Sequence, residues 1–410
     1  MRILVVNSGS SSIKVSMFDT GDVDGAGDPA CLLDGEVSGI GGPAPRMELK
    51  GRHGKDVGGN AAGVSAGSTI EGLHAALDAV DEATRVGGIG AVDAVGYRVV
   101  HPGPKLEDHQ RITDVVLKDL EEAGTFAPLH DPAALRVIRD TMARFPDVPH
   151  YACFDTVFHR TMPKEASIYA IPEVYREQGV RRYGFHGLSC ESVVRQMERE
   201  QGGVPQRMVI AHLGSGCSVT AVVDGKSVDT TMGLTPTGGV VMGTRPGDLD
   251  PGLVFYLLRQ QPGSADERVG VVEKMLNHDA GMVALSGLPN DVKALRKAAA
   301  ADGDERAGLA LRVFTRSVRK AVGGYCWLLG GVDAVVFAGG IGEHDALTRA
   351  EVLGGLGGVG ISIDPVLNEV KKSGLREIGT SETGTKVLVV PAQEDMMIAR
   401  HVDRMERAGS

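Results

Sequence analysis

Two short segments of this 410-residue chain carry residue types able to handle phosphate. Near the N-terminus, Asn7-Ser8-Gly9-Ser10-Ser11-Ser12-Ile13-Lys14 lies between two apolar runs. A turn of small residues lets a phosphate approach backbone N–H groups, and Lys14 adds a point charge. Further on, Met242-Gly243-Thr244-Arg245-Pro246-Gly247-Asp248-Leu249-Asp250 sets one arginine among glycines and acids. A guanidinium in such a loop can fork onto a carboxylate or a phosphoryl group. Together the two segments point to the movement of phosphate onto a small anion.

Regular elements must hold these residues in place. Residues 2–7 and 13–18 read as strands, because Ile13, Val15 and Met17 alternate with Lys14, Ser16 and Phe18. A Walker-type loop needs GxxxxGK[ST] opening a helix, and none stands there, so a hairpin must handle the phosphate. Residues 21–68 are rich in Gly, Asp and Pro and predict short strands and loops. Ile70, Leu73, Leu77 and Val80 fall on one helical face. Asp131-Pro132 starts another helix, with Leu135, Ile138 and Met142 as its stripe.

The pattern then partly repeats. Met208–Leu213 reads as a strand, 214–218 as a small-residue turn, Val219–Val223 as a second strand, and Asp224-Gly225 as a tight hairpin. This echo predicts two related α/β halves. Leu311, Phe314, Val318, Val322, Tyr325 and Leu329 give a long amphipathic helix. Val335–Ala338 is a buried strand ending in Gly339-Gly340-Ile341-Gly342-Glu343, with helical residues 345–353 after it. Strand 386–390 ends at Pro391, and a last helix begins near Glu394. Ligands of open α/β sheets sit beyond the carboxyl ends of strands, and Asn7, His212, Gly340 and Glu394 are all near such ends.

The length exceeds one ordinary core and predicts two domains. The formal net charge of −10 disfavours a phosphate-tracking nucleic-acid role. The five cysteines are scattered without a CxxC pair, as expected of reduced thiols in a cytoplasmic protein. No apolar run approaches a membrane span, and Ile3-Leu4-Val5-Val6 is too short for a signal peptide.

Nine blocks spread in order over residues 7–394 resemble the acetate kinase family, which holds acetate and propionate kinases. They are Asn7–Lys14, Tyr97-Arg98-Val-Val-His101-Pro-Gly103, Ala127-Pro-Leu-His130, Phe154-Asp155-Thr-Val-Phe-His159, Tyr183-Gly-Phe-His186-Gly, His212-Leu-Gly-Ser-Gly216, Met242-Gly-Thr-Arg245, Gly340-Ile-Gly-Glu343 and Pro391-Ala-Gln-Glu394. The resemblance implies the duplicated actin-like ATPase fold shared with sugar kinases and heat-shock ATPases. That fold is α/β, with two domains, each a central mixed five-stranded sheet flanked by helices, and an active site in the cleft between them. The N-terminal domain is expected at 1–150 plus 391–410, and the C-terminal one, on the nucleotide and dimer side, at 151–390. The implied reaction is reversible, in-line transfer of the ATP γ-phosphoryl to acetate, giving acetyl phosphate and ADP. Mg2+ is the implied metal, with Mn2+ as a substitute, and a homodimer the implied assembly. Neither nucleic acid nor membrane is an expected partner.

Residue by residue, Arg98, Asp155, His186 and Arg245 match the family's catalytic positions. The arginines are expected to hold the carboxylate and the transferring phosphoryl, and His186 to donate to that phosphoryl. Acetate is already ionised at neutral pH, so Asp155 is expected to orient an arginine or the metal shell rather than to move a proton. Asn7 and Glu394 match the metal-associated pair. Lys14, His212, Leu213, Gly214, Ser215 and Gly216 match the phosphate side of the nucleotide site. Asp291, Val292 and Lys293, with Gly340, Ile341, Gly342, Glu343 and His344, match its remainder. Val100, Leu129, Phe185 and Pro236, beside Arg98, match the lining of the acyl pocket. Two alternatives stay open at this point: a kinase preferring propionate or another short carboxylate, and a non-catalytic ATPase of the same fold.

Overall fold

The run Ile3-Leu4-Val5-Val6 is apolar at every position because its strand is covered on both faces. In the computed structural model, which describes residues 1–9, 12–23, 27–42, 44–52, 61–62, 66–86, 88–124, 131–380 and 384–409, it forms β1 (Arg2–Ser8). β1 pairs antiparallel with β2 (Ser12–Val23), and β2 with β3 (Pro29–Ser38). β4 (Arg46–Gly51) and β5 (Ala61–Ala62) extend that edge. On its other side β1 pairs parallel with β6 (Ala94–Val99). Beyond β6 lie β7 (Gln110–Arg111) and β8 (His150–Phe154), giving the order β5-β4-β3-β2-β1-β6-β8-β7. One face packs Leu4, Val6, Val15 and Met17 into a core with Leu73, Leu77 and Val80 of the helix Thr69–Val86 and Ile138 of the helix Asp131–Arg144. Each such side chain contributes about 1.5–3 kcal/mol by leaving water. The other face receives the C-terminal helix Glu394–Gly409. A Cβ on Gly96 would lie 2.6 Å from Ile398 and 2.9 Å from Val402, so the glycine lets this helix sit directly on β6.

Met1–Val157 with Gln393–Ser410 form one compact unit, and Phe158–Ala392 the other. The first unit runs past residue 150, because β8 is a strand of its sheet and the Asp155 N–H still bonds to Val99.

The second unit repeats the plan. β9 (Arg207–Leu213), β10 (Cys217–Val223) and β11 (Lys226–Thr230) form an antiparallel meander. Asp224 and Gly225, at φ 47° and 75°, make the tight hairpin between the last two. β12 (Ala334–Ala338) pairs parallel with β9. With β13 (Arg376–Glu377) and β14 (Lys386–Val389) the order is β11-β10-β9-β12-β14-β13. Cys190, Val193 and Met197 of the helix Gly187–Glu200 cover one face. Phe314, Val318 and Val322, buried on the helix Glu305–Leu328, serve the other.

In each unit the first-entered strand, β1 or β9, has one antiparallel neighbour, which continues an antiparallel meander, and one parallel neighbour on its other side. The duplicated α/β organisation read from the sequence is therefore present. The number of strands is not five: among the described residues the sheets have eight and six, because short edge strands are added. Most unexpected is β3, ten residues long in a region read as loops and short strands. Leu33, Gly35 and Val37 face inward, and the glycine hides the alternation; a Cβ there would stand 2.4 Å from Leu49 Cδ1. The segment after β12 also differs, since it is already helical at Gly339–His344, before the expected helix appears at Ala346–Leu353.

Candidate active site

In the first unit, the polar groups gather where β1, β6 and β8 end. Asn7 stands opposite Lys14 in the β1–β2 register, so both side chains share a face. Arg98 lies near the end of β6, and Asp155 directly follows β8. The Arg98 guanidinium forks onto Asp155, Nε to Oδ1 at 2.9 Å and Nη2 to Oδ2 at 2.5 Å. Its Nη1 donates to Asn7 Oδ1 at 3.4 Å and lies 3.6 Å from Glu394 Oε2. Burial alone would push this guanidinium down, but Asp155, Glu394 and Asp395 hold it above its ordinary value. Arg98 is thus a fixed cation.

Glu394 opens the C-terminal helix, and Asp395 beside it accepts from Asn7 Nδ2 at 2.9 Å. Burial, with Glu394 adjacent, pushes the Asp395 carboxyl above the usual range, against the hydrogen bond from Asn7 and the charge of Lys14. Oxygen donors on Glu394, Asp395 and Asn7 form a hard set of the kind that suits Mg2+. These residues fit the implied metal. Lys14 itself is exposed. Val100 is half-buried, whereas Leu129 lies outside the described residues.

In the second unit, two imidazoles are stacked. His186 adopts the left-handed backbone region, φ 59° and ψ 27°, immediately before the helix Gly187–Glu200. Its ring lies against that of His212 near the end of β9, with centroids 4.1 Å apart and planes 23° apart. His186 Nδ1 is 2.9 Å from Ser218 Oγ, and His212 Nδ1 is 2.7 Å from Ser189 Oγ. A serine hydroxyl donating to Nδ1 leaves Nε2 as an N–H donor. Both Nε2 atoms point at glycines. A Cβ on Gly216 would stand 3.2 Å from His186 Nε2 and 3.4 Å from Arg245 Nη1. A Cβ on Gly339, at φ +75°, would stand 3.1 Å from His212 Nε2 and 2.8 Å from the Leu213 carbonyl oxygen. A side chain at either position would press on these groups, so glycine is required for the close approach.

Arg245 is carried by a tight turn. The Met242 N–H donates to the Arg245 carbonyl, and Met282 and Val283 bond back to Met242 and Gly243. Its Nη1 donates to the buried Pro236 carbonyl at 2.9 Å. Phe185 is fully buried beside His186. This cluster gathers Arg245, His186 and His212 beside a turn of glycines, an arrangement able to hold phosphoryl oxygens.

The other expected nucleotide residues have definite placements within this unit. Leu213 is buried, and Ser215 is exposed with its Oγ accepting from Asn290 Nδ2 at 3.1 Å. Asp291 caps the helix Val292–Ala301 through the Lys293 and Ala294 N–H groups, which occupies its carboxylate. Val292 is buried and Lys293 exposed. Gly340 is open, with nothing within 4 Å of where its Cβ would be. Ile341, Gly342 and exposed His344 share the helix Gly339–His344. Glu343 turns its carboxylate to the Ala392 N–H at 3.1 Å.

Four polar partners were not singled out from the sequence: Asp395, Ser189, Ser218 and Asn290. Two had a signal. Asp395 sits next to Glu394, and Ser189 lies one helical turn after His186. Ser218 is brought to His186 by the β9–β10 register, and Asn290 to Ser215 by loop packing, which local spacing does not reveal.

The Acetokinase family profile matches residues 2–400. This chain belongs to the acetokinase family. It is 41% identical to an acetate kinase of Geobacillus kaustophilus (strain HTA426), covering 98% of this chain and 99% of that one. An acetate kinase of Micrococcus luteus is 42% identical, with 98% of each chain covered. Among solved structures, the Porphyromonas gingivalis acetate kinase superposes with a TM-score of 0.80 at 32% identity, over 98% of both chains. A propionate kinase from Francisella tularensis gives 0.82 at 34% identity, over 97% of this chain and 98% of that one. The acetokinase fold thus holds over essentially the whole chain.

Proposed function

We propose that this chain is an ATP:acetate phosphotransferase, moving the γ-phosphoryl of Mg-ATP in line onto acetate and back. The observation that carries the reading is the approach of His186 Nε2 and Arg245 Nη1 to the same glycine, Gly216, in a chain of the acetokinase family. Acetate, with a pKa of roughly 4 to 5 like a side-chain carboxyl, arrives as the nucleophilic anion and needs no general base. What opposes reaction is repulsion. Two unit charges 4 Å apart repel by about 4 kcal/mol at an effective dielectric of 20. Arg98 and Arg245 offset that term, and His186 donates to the phosphoryl oxygens. Asp155 fixes the plane of Arg98 and moves no proton. Glu394, with Asn7 and waters, would hold magnesium, which supplies charge neutralisation on the nucleotide phosphates. His212 and the Gly214–Gly216 turn would take the donor phosphates.

A second acceptor has a specific basis in the likeness to the propionate kinase. One methylene is worth about 1–3 kcal/mol in an apolar pocket, so propionate is expected to be used, more slowly. The test is acyl hydroxamate formation with Mg-ATP and acetate, propionate or butyrate. Acetate should give the highest kcat/KM and butyrate the lowest. ATP hydrolysis without any acyl phosphate would refute the proposal and favour a non-catalytic ATPase.

We also propose a homodimer in the cytoplasm. Phe255, Tyr256 and Trp327 of the second unit leave 57%, 56% and 90% of their surface exposed, an apolar load suited to a second copy. Among the described residues no helix is long and apolar enough to cross a membrane, and no cysteine is in a disulfide. Light scattering should return twice the chain mass; a monomer at micromolar concentration would contradict the dimer.

A further inference from the structure

Arg349 is 1% exposed, among the largest fully buried side chains of the protein. Among the described residues no carboxylate oxygen lies within ion-pair distance of it. Its donors go instead to Asn368 Oδ1 (2.8 Å), the Asn368 carbonyl (2.7 Å), the Gly342 carbonyl (2.8 Å) and the Glu343 carbonyl (3.1 Å). Arg376 Nη2 reaches the same Glu343 carbonyl at 2.8 Å. A buried cation whose carboxylates, Asp345 and Glu369, act only beyond ion-pair distance is costly, and burial, with Arg376 nearby, pushes this guanidinium down to about 10. An apolar side chain could fill the same space but would take this donor from Asn368 Oδ1 and from the Asn368 and Gly342 carbonyls. What only the guanidinium does is hold the last turn of the helix Gly339–His344 at a set position.

A second arginine ties the same place to another segment. Arg296, one turn into the helix that Asp291 caps, donates from Nε and Nη2 to Asp345 Oδ2 at 3.2 and 3.1 Å. It also reaches Thr348 Oγ1 at 3.1 Å and Glu351 Oε2 at 3.0 Å. Asp345 is the residue between the helix Gly339–His344 and the helix Ala346–Leu353, and it caps the latter.

We infer that Arg349 and Arg296 are positioning residues for nucleotide binding, clamping Gly339–His344 and the Asp291–Lys293 turn as one rigid ledge. The inference rests on the proposed ATP:acetate phosphotransfer and on the nucleotide role expected of those two segments. The arginines touch no substrate; they set where the backbone of Gly340 and its neighbours stands.

The test uses the full-length wild type, R349M, R349K and R296M. Steady-state kinetics with ATP and acetate varied separately should show the ATP KM raised about 10–50-fold in R349M and 3–10-fold in R296M. The acetate KM should stay within twofold. R349K, which keeps the charge but not the fork, should fall between. An ATP KM within twofold of wild type in folded R349M and R296M overturns the inference. If R349M does not fold, a wild-type ATP KM in folded R349K and R296M overturns it equally. Hydrogen exchange on the wild type separates this from failure of the underlying reading. ADP should protect residues 339–345, and its failure to protect them would remove the nucleotide role of the segment and the inference with it.

Discussion

The β1–β2 hairpin and the β9–β10 hairpin occupy the same place in two sheets of the same plan, yet they serve opposite chemistry. The first brings Asn7 to a cluster with Arg98, Asp155, Glu394 and Asp395, where one cation is fixed by surrounding carboxylates. The second brings His212 and Ser218 to His186, where two imidazoles and Arg245 stand beside glycines. Duplication supplied two equivalent positions at strand ends. What each position does depends on a handful of side chains and on the helix that supplies them, Glu394–Gly409 in one unit and Gly187–Glu200 in the other. The acid-rich side suits a metal and a carboxylate-binding arginine; the imidazole side suits phosphoryl oxygens.

Replacing the arginine of each cluster should separate the two most sharply. Arg245→Leu and Arg98→Leu should each lower kcat by about 10³-fold or more, the scale of an arginine acting on a transferring phosphoryl. Arg98→Leu also removes the forked ion pair to the buried Asp155, which should destabilise the fold. Thermal melts should therefore show Arg98→Leu well below the wild type and Arg245→Leu close to it. Equal melting losses would erase the distinction between the clusters. Next in size, Asp155→Asn should cost about 10–100-fold in kcat, as expected when the partner that orients a functional group is weakened. Full activity in that variant would remove Asp155 from the account.

His159 tests stability rather than rate. Buried against Ser227 Oγ and the Phe185 carbonyl, it is pushed down to about 4 by desolvation. The unfolded chain therefore binds the proton first. Stability from this group is complete above the ordinary histidine pKa and is lost as pH falls from 6.5 toward 4, by about 1.4 kcal/mol per unit. Denaturant titrations across that range should show the slope in the wild type and a flatter one in His159→Gln. An unchanged slope would show that His159 does not carry it. The smallest effect is expected for Ser218→Ala, which removes one hydrogen bond from His186 and should lower kcat about 2–10-fold. A loss of 10³-fold there would mean that the hydroxyl acts on substrate directly.

Much of this site was readable from local pattern. The period-two run from Ile13 to Met17 and the echo at Met208–Val223 place both hairpins, and matched blocks name Arg98, Asp155, His186 and Arg245. What escaped depends on contacts distant in sequence. Gly35 hides the alternation of β3 because the reason for glycine is Leu49, on the neighbouring strand. Ser218 matters only once β9–β10 pairing carries it to His186, and Arg349 looks like a surface arginine until its helix folds back on Gly342. The pairing of Arg98 with Asp155 joins the ends of two parallel strands, a register that no spacing encodes.

The central claim is that an ionised carboxylate receives the phosphoryl group directly. Phosphorus-31 NMR of the enzyme with Mg-ATP and acetate tests it most directly. Acetyl phosphate should appear in step with ADP in the wild type, with both signals lost in Arg245→Leu. Inorganic phosphate growing with ADP, and no acetyl phosphate, would contradict it.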